Sequence, residues 1–370
     1  MKRVFFKHRK LVSEKRSLLD CAFIAIVFCG VSPFLWATEL PEYFRSSRSM
    51  GMGGTSTAFV EGTDSLFLNP AGLATTESAI FKFAQSDTSL SDDILFDIRQ
   101  NVSTYASLGI SGVGKLMGKN IATQEQIVTA WAMPGLAVGL LVDAQIALRM
   151  KDKVYPKLEL GYQTTQGVQV GTGVSLMRGR HGRSDLRAGA SVKVMFRRGG
   201  FKNLPLIDLF NINVTRLQAM AGNFGLGIGV DTGLQYEKKL DSVTSILTGI
   251  AMTNIGDTTF ASPQADAMRS NLSFGLAYKW KPRLAEYIFA YDYRNVGAVS
   301  DWRKKNHFGL QMKWPILSLY GGVNQIYFSY GIGIDVWVMN IMAYSYAEEL
   351  GTFVRQNIER RWVLQMTFQL

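Results

Sequence analysis

The sequence predicts an all-β fold, an antiparallel transmembrane β-barrel of about fourteen strands, preceded by a compact N-terminal plug of chain. Three observations predict the barrel. Most of the chain alternates with period two, the alternate face is small or polar rather than charged, and the first 37 residues look like a leader. The expected divisions are residues 1–37 as signal peptide, 38–77 as hatch segment and 78–370 as barrel.

The alternation is strict over long runs. Leu186, Ala188, Ala190, Val192, Val194 and Phe196 alternate with Arg187, Gly189, Ser191, Lys193, Met195 and Arg197. Leu272, Phe274, Leu276, Tyr278 and Trp280 do the same, as do Phe308, Leu310, Met312 and Trp314, and finally Trp362, Leu364, Met366, Phe368 and Leu370. Successive side chains of a strand point to opposite faces, so each run has one apolar face. A soluble sandwich would put charge and threonine on the other face. Here that face is largely glycine, alanine, serine or a lone charge, and aromatics (Tyr278, Trp280, Tyr293, Trp314, Trp362) gather at strand ends. A membrane barrel requires this pattern: apolar toward lipid, aromatic at the interfaces, small or polar toward the lumen.

Candidate strands fall at 78–85, 104–112, 125–133, 135–149, 154–163, 166–177, 185–197, 223–237, 242–254, 270–280, 285–294, 305–314, 316–323, 328–339, 340–347 and 361–370. Short neighbours such as 316–323 and 328–339 are where this list is expected to overcount. Residues 199–221 break the alternation and read as a long loop with a short helix. SDDILFDIRQ, 91–100, reads as helical, with Leu95, Phe96 and Ile98 on its apolar side.

The leader reading rests on a basic stretch, MKRVFFKHRKLVSEKR, followed by a nearly uncharged run from Cys21 to Ala37, with Leu35 and Ala37 at −3 and −1 of a cleavage site. A retained inner-membrane anchor is the alternative. A lipoprotein site at Cys29 is disfavoured by Phe28 before it. Removing 1–37 leaves 33 Lys+Arg against 27 Asp+Glu, a net of +6 in place of +11, and removes both cysteines. Nucleic-acid binding loses its electrostatic support, and no disulfide or thiolate metal site is expected.

Chemistry-bearing motifs are few. GISGVGKL, 109–116, has the front of a P-loop, but Leu116 stands where a Ser or Thr must reach Mg²⁺, and no βαβ context surrounds it. The glycines of GLGIGVDTG, 225–233, recur every second residue along a strand face. The histidines past the leader are His181 and His307, and neither lies in a serine or metal motif. Lys193, Arg197 and Arg198 form a basic cluster that reads as lumen or headgroup contact. No catalytic residue, metal site or cofactor is expected.

The stretch GMGGTSTAFVEGTDSLFLNPAGLA, 51–74, is of another kind. Glycines permit close backbone approach, and Asn69-Pro70 starts a turn because the residue before proline avoids the helical region. With Ala58, an acidic residue at Asp64 and then Asn69-Pro70-Ala71-Gly72-Leu73, it resembles the start of FadL-like outer-membrane transporters and the related PorV and PorQ group. AGASVKVMFR (188–197), GLGIGVDTGLQY (225–236), ILTGIAMTNIGD (246–257) and AYSYAEELG (343–351) are more similar to the second group.

That resemblance implies a fourteen-stranded barrel whose N-terminal segment folds inward as a hatch. It implies that Gly53, Gly54, Asp64, Asn69, Pro70, Ala71 and Gly72 belong to the hatch. The implied partners are outer-membrane lipids and a long-chain fatty acid or other hydrophobic ligand. A PorV-like scaffold binding a secreted protein is the rival reading. Leu206, Ile207, Leu209 and Phe210 in the long loop are expected to line a ligand mouth. Met366, Phe368 and Leu370 resemble the C-terminal signal read by the outer-membrane assembly machinery, with Leu370 where phenylalanine is more usual.

Overall fold

The computed structural model describes residues 42–98, 118–151, 157–179, 183–205, 222–298 and 300–370. They form fourteen strands: β1 Ile80–Ser91, β2 Asn120–Met133, β3 Leu136–Lys151, β4 Lys157–Arg178, β5 Ser184–Pro205, β6 Gly225–Lys239, β7 Thr244–Thr253, β8 Asn271–Trp280, β9 Glu286–Tyr293, β10 Asn306–Lys313, β11 Leu317–Asn324, β12 Tyr327–Val336, β13 Met339–Glu349 and β14 Ile358–Gln369. Each pairs antiparallel with its sequence neighbours, and β1 pairs with β14 to close the barrel. Closure matters because lipid offers no hydrogen bond to an open edge.

The expected segments differ from these strands in three places. The candidates at 154–163 and 166–177 are one strand, β4, since Gln163, Thr164 and Thr165 stay in register with Gly199, Arg198 and Arg197. The barrel closes without 104–112, which lies outside the described residues, and the doubted pair 316–323 and 328–339 is two true strands, β11 and β12. The break expected at 199 begins later, because β5 continues through Gly199 and Gly200 to Pro205. Within 91–100, a single helical turn spans Asp93–Ile98.

The burial pattern is inverted relative to a soluble protein. Ile228 is 61% exposed while Lys193 is 1% exposed, and along β6 every second residue from Gly225 to Gln235 faces in. Val168, Val192, Ile250, Leu276, Phe289, Ile332 and Leu364 face out, whereas Gln169, Lys193, Asp231, Gln235, Asp292, Gln311 and Arg361 are buried. A wall turned apolar-out and polar-in suits a hydrocarbon surround. At one end Trp280 stacks on Tyr287 (5.0 Å), which meets Trp314 edge-on (6.5 Å). At the other, Trp362 packs against Phe96 and Tyr330 (both 5.9 Å).

The two ends are unlike. Turns at 134–135, 240–243, 281–285, 314–316 and 337–338 lie at the end that holds the start of β1 and the end of β14. The strand ends that border the longer connections, Ser91 and Asn120, Pro205 and Gly225, Thr253 and Asn271, and Tyr293 and Asn306, lie at the opposite end. Short turns mark the periplasmic side of outer-membrane-type barrels and long loops the outer side. Strands of about 9–11 residues suffice to cross a membrane. β4 and β5, at 22 residues each, are about twice that length.

One irregularity aims a side chain. Between Lys82 and Gln85 the register of β1 shifts against both neighbours, and Phe83 and Ala84 both face out. This bulge turns Lys82 and Gln85 together into the lumen, the usual effect of an extra residue in a strand.

If the outward face meets hydrocarbon, depth sets the cost of a charge. Leu276→Arg, at mid-strand in β8, is expected to lower stability by about 2–4 kcal/mol, and Trp280→Arg at the rim by about 0–1 kcal/mol. Denaturant titration in lipid vesicles measures both, and equal losses would show that β8 does not cross a bilayer.

Candidate functional site

Residues 42–75 fold into the lumen as a series of short turns with little regular structure. The helical turn Ser47–Gly51 is followed by turns at Gly62–Asp64, Ser65–Leu68 and Pro70–Thr75. The turns bond part of their own backbone, and the amides left over need partners in the wall, since buried unpaired amides are costly.

The wall supplies them. Asp292 on β9 accepts hydrogen bonds from Ser56 N (2.8 Å), Thr57 N (2.9 Å) and Thr57 Oγ1 (2.7 Å) through one carboxylate oxygen. Gln126 on β2 brackets Arg45, accepting from its N–H and donating to its carbonyl, each at 3.1 Å. The Arg45 guanidinium donates to Tyr346 Oη (3.0 Å) and pairs with Glu348 (3.2 Å), both on β13. Arg294, just past β9, donates to Gly54 O (3.0 Å) and Glu42 (2.7 Å).

The residues singled out in the sequence occupy three places. Gly53 and Gly54 have φ of +68° and +87°, a region that costs other residues energy. Gly53 lies flat on β10 and β11, where a Cβ would collide with the backbone of Phe308 and Val323, and its carbonyl meets His307 Nδ1 at 2.9 Å. Asp64 sits at the foot of β1, accepting from Lys82 Nζ (2.8 Å) and Ser46 Oγ (2.7 Å). Asn69, Pro70, Ala71 and Gly72 pack against β4–β6. Asn69 is extended, as its proline requires, donates to Thr57 O (2.8 Å) and accepts from Ala71 N (3.2 Å), so it ties two turns of the segment together. Leu206, Ile207, Leu209 and Phe210 lie outside the described residues, as do His181 and the glycines of 109–114.

The wall accommodates this by lacking side chains where the segment passes. A Cβ on Gly189 would strike Pro70, on Gly233 Asn69, on Gly249 Thr57, and on Gly322 Gly53. These wall positions, together with Arg45, Thr57 and Asp292, are what sequence reading missed. A signal was present: Gly225, Gly227, Gly229 and Gly233 share one face of a strand and mark a lumen face against which something packs.

The lumen has two characters. Along β2–β5, Val128, Leu141 and Met195 form an apolar cluster with Tyr43, Phe44, Leu66 and Phe67 of the segment and Met268 of the β7–β8 connection, with Phe260 packed against it. Phe44 and Phe67 lie 4.6 Å apart between ring centres. Beside them are buried charges. Lys193 Nζ bonds Asp231 at 2.8 and 2.9 Å, and Asp231 also accepts from Asn254 N (2.7 Å) and Gln169 Nε2 (2.9 Å). Arg197 stacks on Phe260 (4.9 Å) and donates to Thr165 Oγ1 (2.9 Å). Arg198, its neighbour, belongs to the other face and donates to Tyr162 Oη (2.8 Å), so the basic cluster of the sequence is divided by the wall. A gap of about 30 Å³ between turns of the segment, beside Ser49, Thr55, Phe59 and Asp64, has room for about one water.

No protein-family model and no curated protein matches the sequence. Solved structures do share the fold. The toluene transporter TbuX of Ralstonia pickettii is 12% identical with a TM-score of 0.52, covering 90% of this chain and 99% of its own. The TodX deltaS2S3 mutant, a monoaromatic hydrocarbon channel, is 12% identical with a TM-score of 0.50, covering 87% of this chain and 97% of its own.

Two outcomes follow from the docking. Gly249→Val drives a side chain into the Thr57 backbone and is expected to cost about 1–3 kcal/mol by overpacking; protease cutting within 42–75 should rise while the barrel keeps its heat-modifiable mobility on gels. Burial raises the pKa of Asp64, but Lys82 and the hydrogen bonds from Lys82 and Ser46 outweigh it and hold the carboxyl below its ordinary value. Its contribution is therefore complete above about pH 4 and lost as pH falls through the lower folded value. Asp64→Asn should unfold at lower temperature than the parent at pH 7, and the difference should shrink toward pH 2.

Proposed function

We propose that the chain is a passive, FadL-like outer-membrane channel for hydrophobic compounds, exported through residues 1–37 and closed by residues 38–77 as its hatch. The apolar slot along β2–β5 carries this reading. Tyr43, Phe44, Leu66 and Phe67, all from the segment, fill it. When they withdraw, an apolar guest takes their place at a gain of about 0.8 kcal/mol per buried CH₂. The slot reaches Phe260 and Met268 of the β7–β8 connection, on the long-loop side. Leu206, Ile207, Leu209 and Phe210 belong to its mouth in this reading. The hydrocarbon channels sharing the fold support it by analogy, the weaker kind of argument. The reading involves no chemistry: His307 is packed against the Gly53 carbonyl, and the polar groups of the lumen hold the segment, as Asp292 and Gln126 do, or one another, as Arg361 and Glu359 do.

A second reading has its own observation. Asp292, Arg45 and the wall glycines hold the segment so closely that it serves equally as a permanent brace, as a PorV-like scaffold for secreted proteins requires.

Uptake into vesicles separates them. Met195→Asp and Leu141→Asp, which charge the slot, should cut entry of a long-chain fatty acid or toluene at least about tenfold, the effect of roughly 1.4 kcal/mol. The leader holds both cysteines, so a Ser47→Cys, Asp87→Cys pair, built where the two side chains touch at 3.0 Å, can be oxidised specifically. Uptake that stops on oxidation and returns on reduction supports a moving hatch. Uptake indifferent to the lock and to both Asp variants would sink the channel reading.

A further inference from the structure

From the outward face at the long-loop end, we infer that the rim around Arg360 is a binding site for the phosphate groups of the glycolipid that forms the outer leaflet of a Gram-negative outer membrane. The inference rests on outer-membrane placement and on which end faces out, and is independent of what the lumen carries.

The site is built on one cross-strand row. Tyr330, Ser345 and Trp362 are register partners on β12, β13 and β14, and the small Ser345 leaves room for the two rings to meet edge-on over it at 5.9 Å. Arg360 lies over the Tyr330 ring, 6.0 Å from its centre, and donates to Ser345 Oγ and Phe328 O, each at 3.2 Å. A guanidinium has five N–H donors, and these bonds use two. The stacking and two anchors fix the plane of the guanidinium while leaving donors for a doubly hydrogen-bonded phosphate, the geometry that arginine favours.

The surroundings extend the same chemistry along the rim. Lys304 Nζ donates to Gly351 O and Asp301 N donates to Thr352 O, joining the 294–305 connection to 350–357. Arg355 N then donates to Tyr327 Oη at the head of β12. Large apolar groups stand in the open here: Trp302 is 68% and Phe353 58% exposed on the loops, and Phe328 73% exposed on β12. Arg355 is exposed among them, while Arg303 is paired with Asp301. The carboxylates nearby are engaged. Asp301 takes Arg303, Glu349 takes Tyr327 Oη and three backbone N–H groups, and Asp92 takes the Trp362 indole. A rim presenting aromatics, Arg360 and Arg355, with Asp301, Glu349 and Asp92 engaged by other groups, matches a partner with both acyl chains and phosphates. Aromatics settle at the membrane interface, and each basic residue near an anionic lipid surface contributes about 1 kcal/mol.

The test uses the full barrel in nanodiscs, with bis-phosphorylated lipid A, dephosphorylated lipid A and phosphatidylglycerol offered at equal concentration. Lipid retained after detergent exchange is counted by native mass spectrometry. The expected result is preferential retention of bis-phosphorylated lipid A, about fivefold weaker in Arg360→Ala and partly restored by Arg360→Lys, which keeps the charge but loses the planar fork. Arg355→Ala, on a loop outside the barrel wall, keeps the test open if the Arg360 variant does not assemble, and a smaller loss is expected there. Equal retention of dephosphorylated lipid A or of phosphatidylglycerol, or undiminished retention in both arginine variants, overturns the proposal.

Discussion

A fourteen-stranded barrel encloses more space than its own inward side chains can fill, since about eight strands already close tightly around theirs. The rest of this structure depends on how that space is filled. The filler is the chain's own N-terminal segment, whose short turns satisfy part of their own backbone and leave the rest to side chains. Asp292 and Gln126 supply these from the wall, and Asn69 from within the segment. The wall glycines do it indirectly, by letting backbone approach backbone. Asp292 and Gln126, polar and inside the barrel, are therefore structural parts of an internal interface.

This explains why the buried charges sit as they do. Lys193 and Asp231 are about 1% exposed yet fully engaged, and a charge pair so placed costs much to break from one side. The charges flank the apolar slot and leave it apolar. Tyr43, Phe44, Leu66 and Phe67 reach that slot from a segment otherwise anchored by hydrogen bonds. The two kinds of contact differ in specificity: hydrogen bonds to Asp292 demand this backbone, whereas the slot accepts any apolar group of suitable size. The proposed exchange of segment for ligand depends on that difference.

Much of the fold was legible in the sequence because strand alternation is a local property. Leu186 to Arg197 and Leu272 to Trp280 declared their two faces without reference to the rest of the chain. Where local signals failed, the cause was also local. The run Gln163, Thr164, Thr165 and Gln166 between two apolar stretches looks like a break, but it faces a hydrogen-bonded partner strand and continues as β4. Gly199 and Gly200 look like a loop and lie in β5 for the same reason. The candidate site was less legible. Asn69-Pro70 announced a turn, and Gly53-Gly54 a tight approach, but nothing in the sequence pairs Thr57 with Asp292, more than two hundred positions away.

By itself the sequence determined which faces are apolar, where the aromatic girdles lie, and that residues 51–74 are compact and rich in turns, because these follow from side-chain order and backbone preference. Only the tertiary structure decided that the segment lies inside the barrel against a line of glycines, that Arg197 and Arg198 belong to opposite sides of the wall, and that Arg360 stacks outward on Tyr330. Those facts depend on closure and register. A shift of one residue in any strand pairing would exchange lumen for lipid along its whole length, and that choice is made by all fourteen strands together.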